Sequence, residues 1–347
     1  MLRFRTGKVP TEVLIRNVFP YKGTFDSSVI LGSSVGEDAA LISYGKDVLV
    51  LTTDPVTGAS SDIGWLSVHV NANDVACRGA TPKWFLCDIL LPRSSGIRTL
   101  DSIMKQIDRA AKQVRVSVVG GHTEVTPGLK RPIIVGYMMG SVRRGRFVTS
   151  SGARPGNSIV MTKTAGIEGT AVLAADFFSK LRTKIDVGVL TRAKRMLDSI
   201  SVVEDARLAV TVGGVRAMHD PTEGGLLQGV WELAEASRVG FTIYESSIPV
   251  REETKRVCAA FKLDPLRLMG SGCLLVAVDE RVTEAILRKL SRKHVPAALI
   301  GTVTNRRGGR KLVRTDGSVQ DIGPCERDEI YRVIESYRLD EADPLEV

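Results

Sequence analysis

Strand-like and helix-like segments alternate along most of this 347-residue chain, and the pattern restarts once, at SGARPGNSIVMTK (151–163). The spacing is too irregular for a closed barrel of strand–helix units. It fits instead an α+β chain with sheets and helices segregated into layers. DVLVLTT (47–53), KWFLCDILL (83–91), VSVV and PIIVGYMMGSV (132–142) read as strands of the first half. Between them, IGWLSVHVNANDVACRG (63–79) reads as a mostly apolar helix closed by Gly79, and TLDSIMKQIDRAAKQV (99–114) as an amphipathic one. The second half carries SIVMTK, a helix from Glu168 to Phe178, further helices near 189–211, and GLLQGVWELAEASRVG (225–240). FTIY, a helix over 251–261, CLLVAV (273–278), a helix over 282–293 and ALIGTVT (298–304) follow. ERDEIYRVIESYRL repeats Ile330, Val333, Ile334 and Tyr337 at helical spacing, which predicts a docked helix. A chain of this length exceeds one small core. The expected division is 1–152, 153–320, and a carboxy-terminal helix and tail over 321–347.

Composition narrows the function classes. The net charge of +9 favours anionic partners, yet only 5% of residues are aromatic and the basic residues are scattered apart from SVRRGR (141–146) and NRRGGRK (305–311). That scarcity of stacking platforms argues against nucleic acid and leaves nucleotides or phosphorylated metabolites. Five cysteines without CxxC spacing read as buried thiols in a reducing cytoplasm. No apolar run is long enough for a membrane span, and MLRFRTGKVP lacks the apolar core of a signal peptide. A soluble cytoplasmic protein is expected.

Several catalytic templates fail. The chain has no GxxxxGK[ST] and no GxGxxG. GSSVG (32–36) is followed by charged and extended residues rather than the helix a nucleophile elbow needs. The HxE letters at His122–Glu124 lack the PCxxC partner of a zinc deaminase, since PCERD (324–328) holds Cys325 alone.

What remains is a set of acids at element ends: Glu37 and Asp38 in SSVGEDAALI, Asp54 in LTTDPVTG, Asp74 in VNANDVACRGATP, Glu124 in GGHTEV and Asp220 in MHDPTEGGL. Hard magnesium ions take oxygen ligands of this kind, with phosphate oxygens completing the shell. Each acid alone also suits a turn or a helix cap. Asp74 does not, because it interrupts an apolar helix, where a carboxylate without a cation or strong donors costs several kcal/mol. VSVVGGHTEVTPG (116–128) reads as a strand stopped by two glycines, which then presents His122, Thr123 and Glu124 either in a tight turn or to a ligand.

The order of GEDAALI, TTDPVTG, NANDVACRGATP, VVGGHTEVTPG, SGARPGNSIVMTKTAGIEGTAVLA, HDPTEGGL and LDPLRLMGSG resembles the aminoimidazole-ribotide synthetase-related superfamily of ATP-dependent enzymes, across about residues 30 to 305. That group includes thiamine-monophosphate kinase, selenophosphate synthetase and the hydrogenase expression/formation protein, a carbamoyl dehydratase. HDPTEGGL and LDPLRL are most similar to the last of these. The resemblance implies an ATP-binding, dimerising amino-terminal domain whose sheet forms a barrel shared by two subunits, and an α+β domain closing over the phosphates. It implies an enzyme that uses ATP and Mg2+ to activate an oxygen of a small substrate, working as a homodimer with a maturation partner protein. Alternatives are a small-molecule kinase resembling thiamine-monophosphate kinase, or a non-catalytic nucleotide-binding protein.

Carried over by position, Asp38, Asp54 and Asp74 match acids that hold magnesium or phosphates, with Glu124 able to supply an oxygen where His122 replaces an acid. Gly36, Gly120, Gly121 and Thr123 match nucleotide-side positions, and Asp220, Gly224 and Gly225 the second phosphate motif. Asp74 and Asp220 take the catalytic places. The family's terminal cysteine has no counterpart in RLDEADPLEV, and no reactive cysteine precedes the first glycine segment, so a tail thioester and selenophosphate synthesis are not expected. Cys325 is expected to be structural.

Overall fold

A computed structural model describes residues 4–59 and 61–339. The tail expected beyond the last helix, residues 340–347, lies outside the described residues. Two sheets organise the chain. The first is built from β1 (Val29–Leu31), β2 (Ala40–Tyr44), β3 (Asp47–Val56), β4 (Thr81–Leu91), β5 (Ser117–Val125) and β6 (Ile133–Arg143), in the order β1-β2-β3-β6-β4-β5. All its pairings are antiparallel except β4 with β5. Its inner face packs on α2 (Ile63–Cys77). The α1 helix is the short Thr11–Asn17, and α3 is Ile97–Val114, buried along Ile103, Ile107, Ala110 and Ala111.

The second sheet comprises β7 (Ser158–Thr162), β8 (Val215–His219), β9 (Gly240–Tyr244), β10 (Leu275–Val278), β11 (Ala297–Thr304), β12 (Arg310–Val313) and β13 (Val319–Asp321). Their order is β13-β12-β9-β11-β7-β10-β8. Around it lie α4 (Ile167–Asp176), α5 (Phe178–Leu181), α6 (Val187–Lys194), α7 (Val203–Val212), α8 (Gly225–Ser237), α9 (Glu252–Phe261), α10 (Thr283–Ser291) and α11 (Glu329–Leu339). α11 buries Ile330, Val333 and Ile334, and Tyr337 joins a ring cluster with Phe177 and Phe261.

Every residue of α2 is buried. The helix needs no amphipathic pattern because it is covered on all sides: β3 and β6 on one, α3 on another, and α7 from the second half. One apolar core runs from the first sheet through α2 into α4, α6, α9 and α11, while Ala76 and Cys77 at the helix end belong to the core behind the second sheet. The end of α2 is therefore where the two halves meet.

One local expectation is corrected. The strand that was to stop at Gly120 and Gly121 runs through both to Val125. A bulge at Val119 shifts the register, so that Phe85 faces Val118 and Leu86 faces Gly120. A Cβ at Gly121 would lie 2.0 Å from the carbonyl oxygen of Cys87, so the glycine permits a close approach of strands rather than a turn.

Candidate functional site

Asn71 and Asp74 of α2 and Arg78, the residue that caps its end, stand at positions i, i+3 and i+7, which places them along one stripe facing β3 and the second half. Asn71 sets the register of helix against strand: its Oδ1 accepts from the Asp54 N–H at 2.9 Å and its Nδ2 donates to the Asp54 carbonyl at 3.2 Å. One turn on, Asp74 Oδ2 lies 2.7 Å from the Thr52 hydroxyl, which also lies 2.9 Å from the Asp38 carbonyl. Thr52 has a single proton to give. A protonated Asp74 donating to Thr52, with Thr52 donating to Asp38, satisfies every group. That state agrees with the direction of the Asp74 pKa, pushed well above the carboxylate range by burial, then by Asp54, Asp220 and Asp38.

Burial likewise lifts Asp54 to about 6, against the pull of Lys8, and Asp220 to about 8, with Asp38 adding to the rise. Asp220 is 1% exposed; its Oδ1 accepts from the Cys77 thiol at 3.3 Å and its Oδ2 has no hydrogen-bond partner among the described residues. Asp54 from a strand, Asp74 from a helix and Asp220 from the turn after β8 thus lie close to one another and to Asp38.

A charge relay borders them. Arg78, wholly buried, pairs with Glu37 and, at 2.7 Å, with Asp38 Oδ2, and also donates to Ser150 and to the Met218 carbonyl. His219 places Nδ1 2.8 Å from Asp38 Oδ1 and Nε2 3.0 Å from Glu232 Oε2. Burial alone would lower the imidazolium pKa, but Asp38 and Glu232 outweigh it and hold it near 10. Lys8 Nζ reaches Glu232 Oε1 at 2.9 Å, and the Lys8 N–H donates to Glu223, which also accepts from the Tyr331 hydroxyl. The amino-terminal segment is therefore tied across to α11.

These groups border a cleft of about 1360 Å3 between the two halves. It exceeds the roughly 300–1,000 Å3 of ordinary ligand pockets and has room for a nucleotide and a second small molecule. Gly36, Asp38, Asp54 and Asp74 line it, with Glu168 and His219 from the second half.

The carried-over residues divide into three groups. Asp38, Asp54, Asp74 and Asp220 come together. Gly121 reaches the cleft, but Gly120, Thr123 and Glu124 stand on the exposed edge strand β5, where His122 Nε2 lies 3.4 Å from Glu124 Oε2 and Glu124 Oε1 accepts from Thr126. Gly224 and Gly225 are corrected: the Gly224 N–H is engaged by Asp328 at 2.6 Å and the Gly225 N–H by the Thr222 carbonyl. A Cβ on Gly225 would lie 2.7 Å from the carbonyl oxygens of Leu266 and Leu268, so this glycine serves packing of the α8 start. Lys8, Arg78, His219 and Glu232 escaped sequence reasoning. Arg78 had a signal, four residues after Asp74 in an apolar helix; Lys8 had none.

Residues 36–142 match the family model for the AIR synthase related protein N-terminal domain, and residues 154–313 that for its C-terminal domain. The chain is 32% identical over 276 residues to the carbamoyl dehydratase HypE of Azotobacter vinelandii, an alignment covering 77% of this chain and 78% of that protein. Its fold is similar to HypE in a crystal structure of a HypE–HypF complex, with TM-score 0.73 and 25% identity over 90% of this chain and 99% of the other. It is similar as well to the hydrogenase maturation protein HypE in complex with ATP, with TM-score 0.71 and 25% identity over 94% and 97%.

Proposed function

The chain belongs to the AIR synthase related protein family, and from that premise we propose that it is an ATP- and magnesium-dependent enzyme that activates an oxygen atom of a small substrate by phosphoryl transfer, in the manner of HypE. The observation that carries this reading is the set of Asp54 and Asp74 at the edge of a nucleotide-sized cleft with Asp220 buried behind them, all three held with raised pKa values. All their donors are hard oxygens, and one, Asp220 Oδ2, is buried without a partner, so the set fits magnesium. Asp38, Asp54 and Asp74 would hold the ion, with Asp220 closing from the second half. Bound there, magnesium would neutralise phosphate oxygens and the charge that develops on transfer.

The protein's own part is positioning. Asn71 and Thr52 fix Asp54 and Asp74 to their strand and helix, and Arg78 and His219 hold the Asp38 carboxylate in place. Lys8 supplies a cation at the cleft mouth that can leave Glu232 for a phosphate. Phosphoryl transfer needs placement and charge neutralisation more than a reactive side chain, which agrees with a site made of acids and three cations.

HypE relatives named as carbamoyl dehydratases and the HypE–HypF complex support a carbamoyl-type substrate and a maturation partner protein for this chain. The outer face of the first sheet supports a homodimer. Leu49, Leu51, Leu86, Leu90, Val135 and Met139 are only half covered there, and Trp84 and Tyr137 are exposed. Beside them, β5 is exposed along its whole length. A second copy of that face would cover both.

The test is ATP consumption measured against amides, carbamoyl compounds and phosphorylated metabolites, with free phosphate and phosphorylated product quantified separately. Release of free phosphate with a carbamoyl compound is expected. Accumulation of a phosphorylated product would replace this reading with a kinase, and nucleotide binding without turnover on any compound would replace it with a nucleotide-binding protein.

A further inference from the structure

Cys77 is the last residue of α2 and fully buried at the edge of the core behind the second sheet, and its thiol reaches an acid there. Its Sγ lies 3.3 Å from Asp220 Oδ1, and one carboxylate oxygen each from Asp38 and Asp220 lies with Cys77 Sγ inside a group whose members are all within 4.8 Å of one another. The second oxygen of Asp220, on a side chain 1% exposed, is buried with no hydrogen-bond partner among the described residues and so is free to take a cation. Magnesium does not answer to a sulfur ligand, whereas thiolate and carboxylate together suit zinc and its neighbours.

We propose that Cys77, Asp38 and Asp220 form a binding site for a borderline divalent cation such as zinc, separate in chemistry from the oxygen-only magnesium set. Zinc bonds of about 2.3 Å to sulfur and about 2.0 Å to oxygen give a tetrahedral S···O edge near 3.5 Å. The Cys77–Asp220 distance already matches it, leaving roughly an ångström of closure to the Asp38 side chain. Asp38 lines the cleft and Cys77 and Asp220 lie behind it, so the fourth, open position faces the cleft. Three protein ligands and one open position is the coordination of a reactive rather than a sealed zinc site. Arg78 and His219 occupy part of the Asp38 carboxylate, which has about four acceptor positions in all. Binding replaces the proton that the Cys77 thiol now gives Asp220, so it releases protons and strengthens with pH. Because Asp38 and Asp220 are common to both sets, zinc and magnesium compete for them, and Cys77 alone distinguishes the zinc set.

The inference stands on these three residues whether or not the nucleotide reading holds, and its test needs no turnover. Cobalt(II) is titrated into the purified full chain without nucleotide, and the visible and ultraviolet spectra are recorded. One equivalent is expected to give intense ligand-field bands of tetrahedral coordination with a thiolate-to-cobalt charge-transfer band, both lost on adding zinc. In Cys77→Ser the charge-transfer band disappears, and in Asp38→Asn the cobalt affinity falls by more than the roughly 10–100-fold that loss of an outer partner costs. Cys325→Ser, which changes the one half-exposed thiol, keeps the spectrum. Should Cys77→Ser fail to fold, Asp38→Asn and Cys325→Ser still decide the matter. Absence of a charge-transfer band in the unmodified chain, or its loss in Cys325→Ser, overturns the proposal.

Discussion

Asp38, Asp54, Asp74 and Asp220 come from four separate segments and meet at or just behind the cleft, whereas His122, Thr123 and Glu124 are consecutive on an edge strand, where the His122 and Glu124 side chains contact one another and Glu124 accepts from Thr126. The difference is geometric. A helix end, two strand ends and a loop can converge on one point, but successive residues of a strand point to opposite faces. Adjacent chemistry on β5 therefore cannot assemble a site by itself; it can only contribute to one that another surface completes. The cleft is a site by convergence, and β5 is an edge awaiting a partner.

Four experiments press on that contrast. If the β5 side is a subunit interface, Val135→Asp on the outer face of the first sheet buries an uncompensated charge there, at about 3–5 kcal/mol. Light scattering is expected to fall from twice 37.6 kDa to 37.6 kDa, while the unmodified chain at 37.6 kDa in micromolar solution would break the assignment. The cleft side is tested through Glu168, whose carboxyl burial raises to about 7 from 4.5. The folded chain then holds a proton that the unfolded chain has lost. The contribution of Glu168 to stability is full below about pH 4.5, declines as pH rises to about 7, and is gone above. Glu168→Gln should remove that decline, worth up to roughly 3 kcal/mol, in denaturant titrations across the range. An unchanged pH slope would show that Glu168 titrates normally.

Asp74→Asn should cost magnesium-nucleotide affinity about 1.5–3 kcal/mol by calorimetry while the melting temperature holds or rises, since a raised buried acid is removed. Equal affinity would take Asp74 out of the site. The smallest effect is expected at Cys325, whose N–H is held by Gln228 at 2.7 Å and whose thiol donates to the Arg327 carbonyl at 3.0 Å. Cys325→Ser should change nucleotide binding by no more than about 0.5 kcal/mol. A larger loss would connect this thiol to the cleft.

How much of this was legible in the sequence depended on the kind of signal. α3 declared itself through Ile103, Ile107 and Ala110 on one face, and α11 through Ile330, Val333 and Ile334. α2 was readable as a buried helix from its composition, and Asp74 within it as an anomaly that needed a cation. The continuation of β5 through Gly120 and Gly121 was not readable, because glycine pairs mark turns and close strand contacts alike, and only the position of the Cys87 carbonyl separates them. The packing role of Gly225 was hidden for the same reason. His219 and Glu232 lie thirteen residues apart, and Lys8 comes from 224 residues away, so their relay exists only in three dimensions.

The central claim is that the convergent acids make a cation-dependent nucleotide site, and calorimetric titration of ATP into the purified protein tests it most directly, once with excess magnesium and once with chelator. Saturable binding is expected with magnesium and a loss of at least about tenfold in affinity without it, since the acids then face the triphosphate without a divalent cation between them. Equal affinity in the two titrations, or no binding in either, would contradict it.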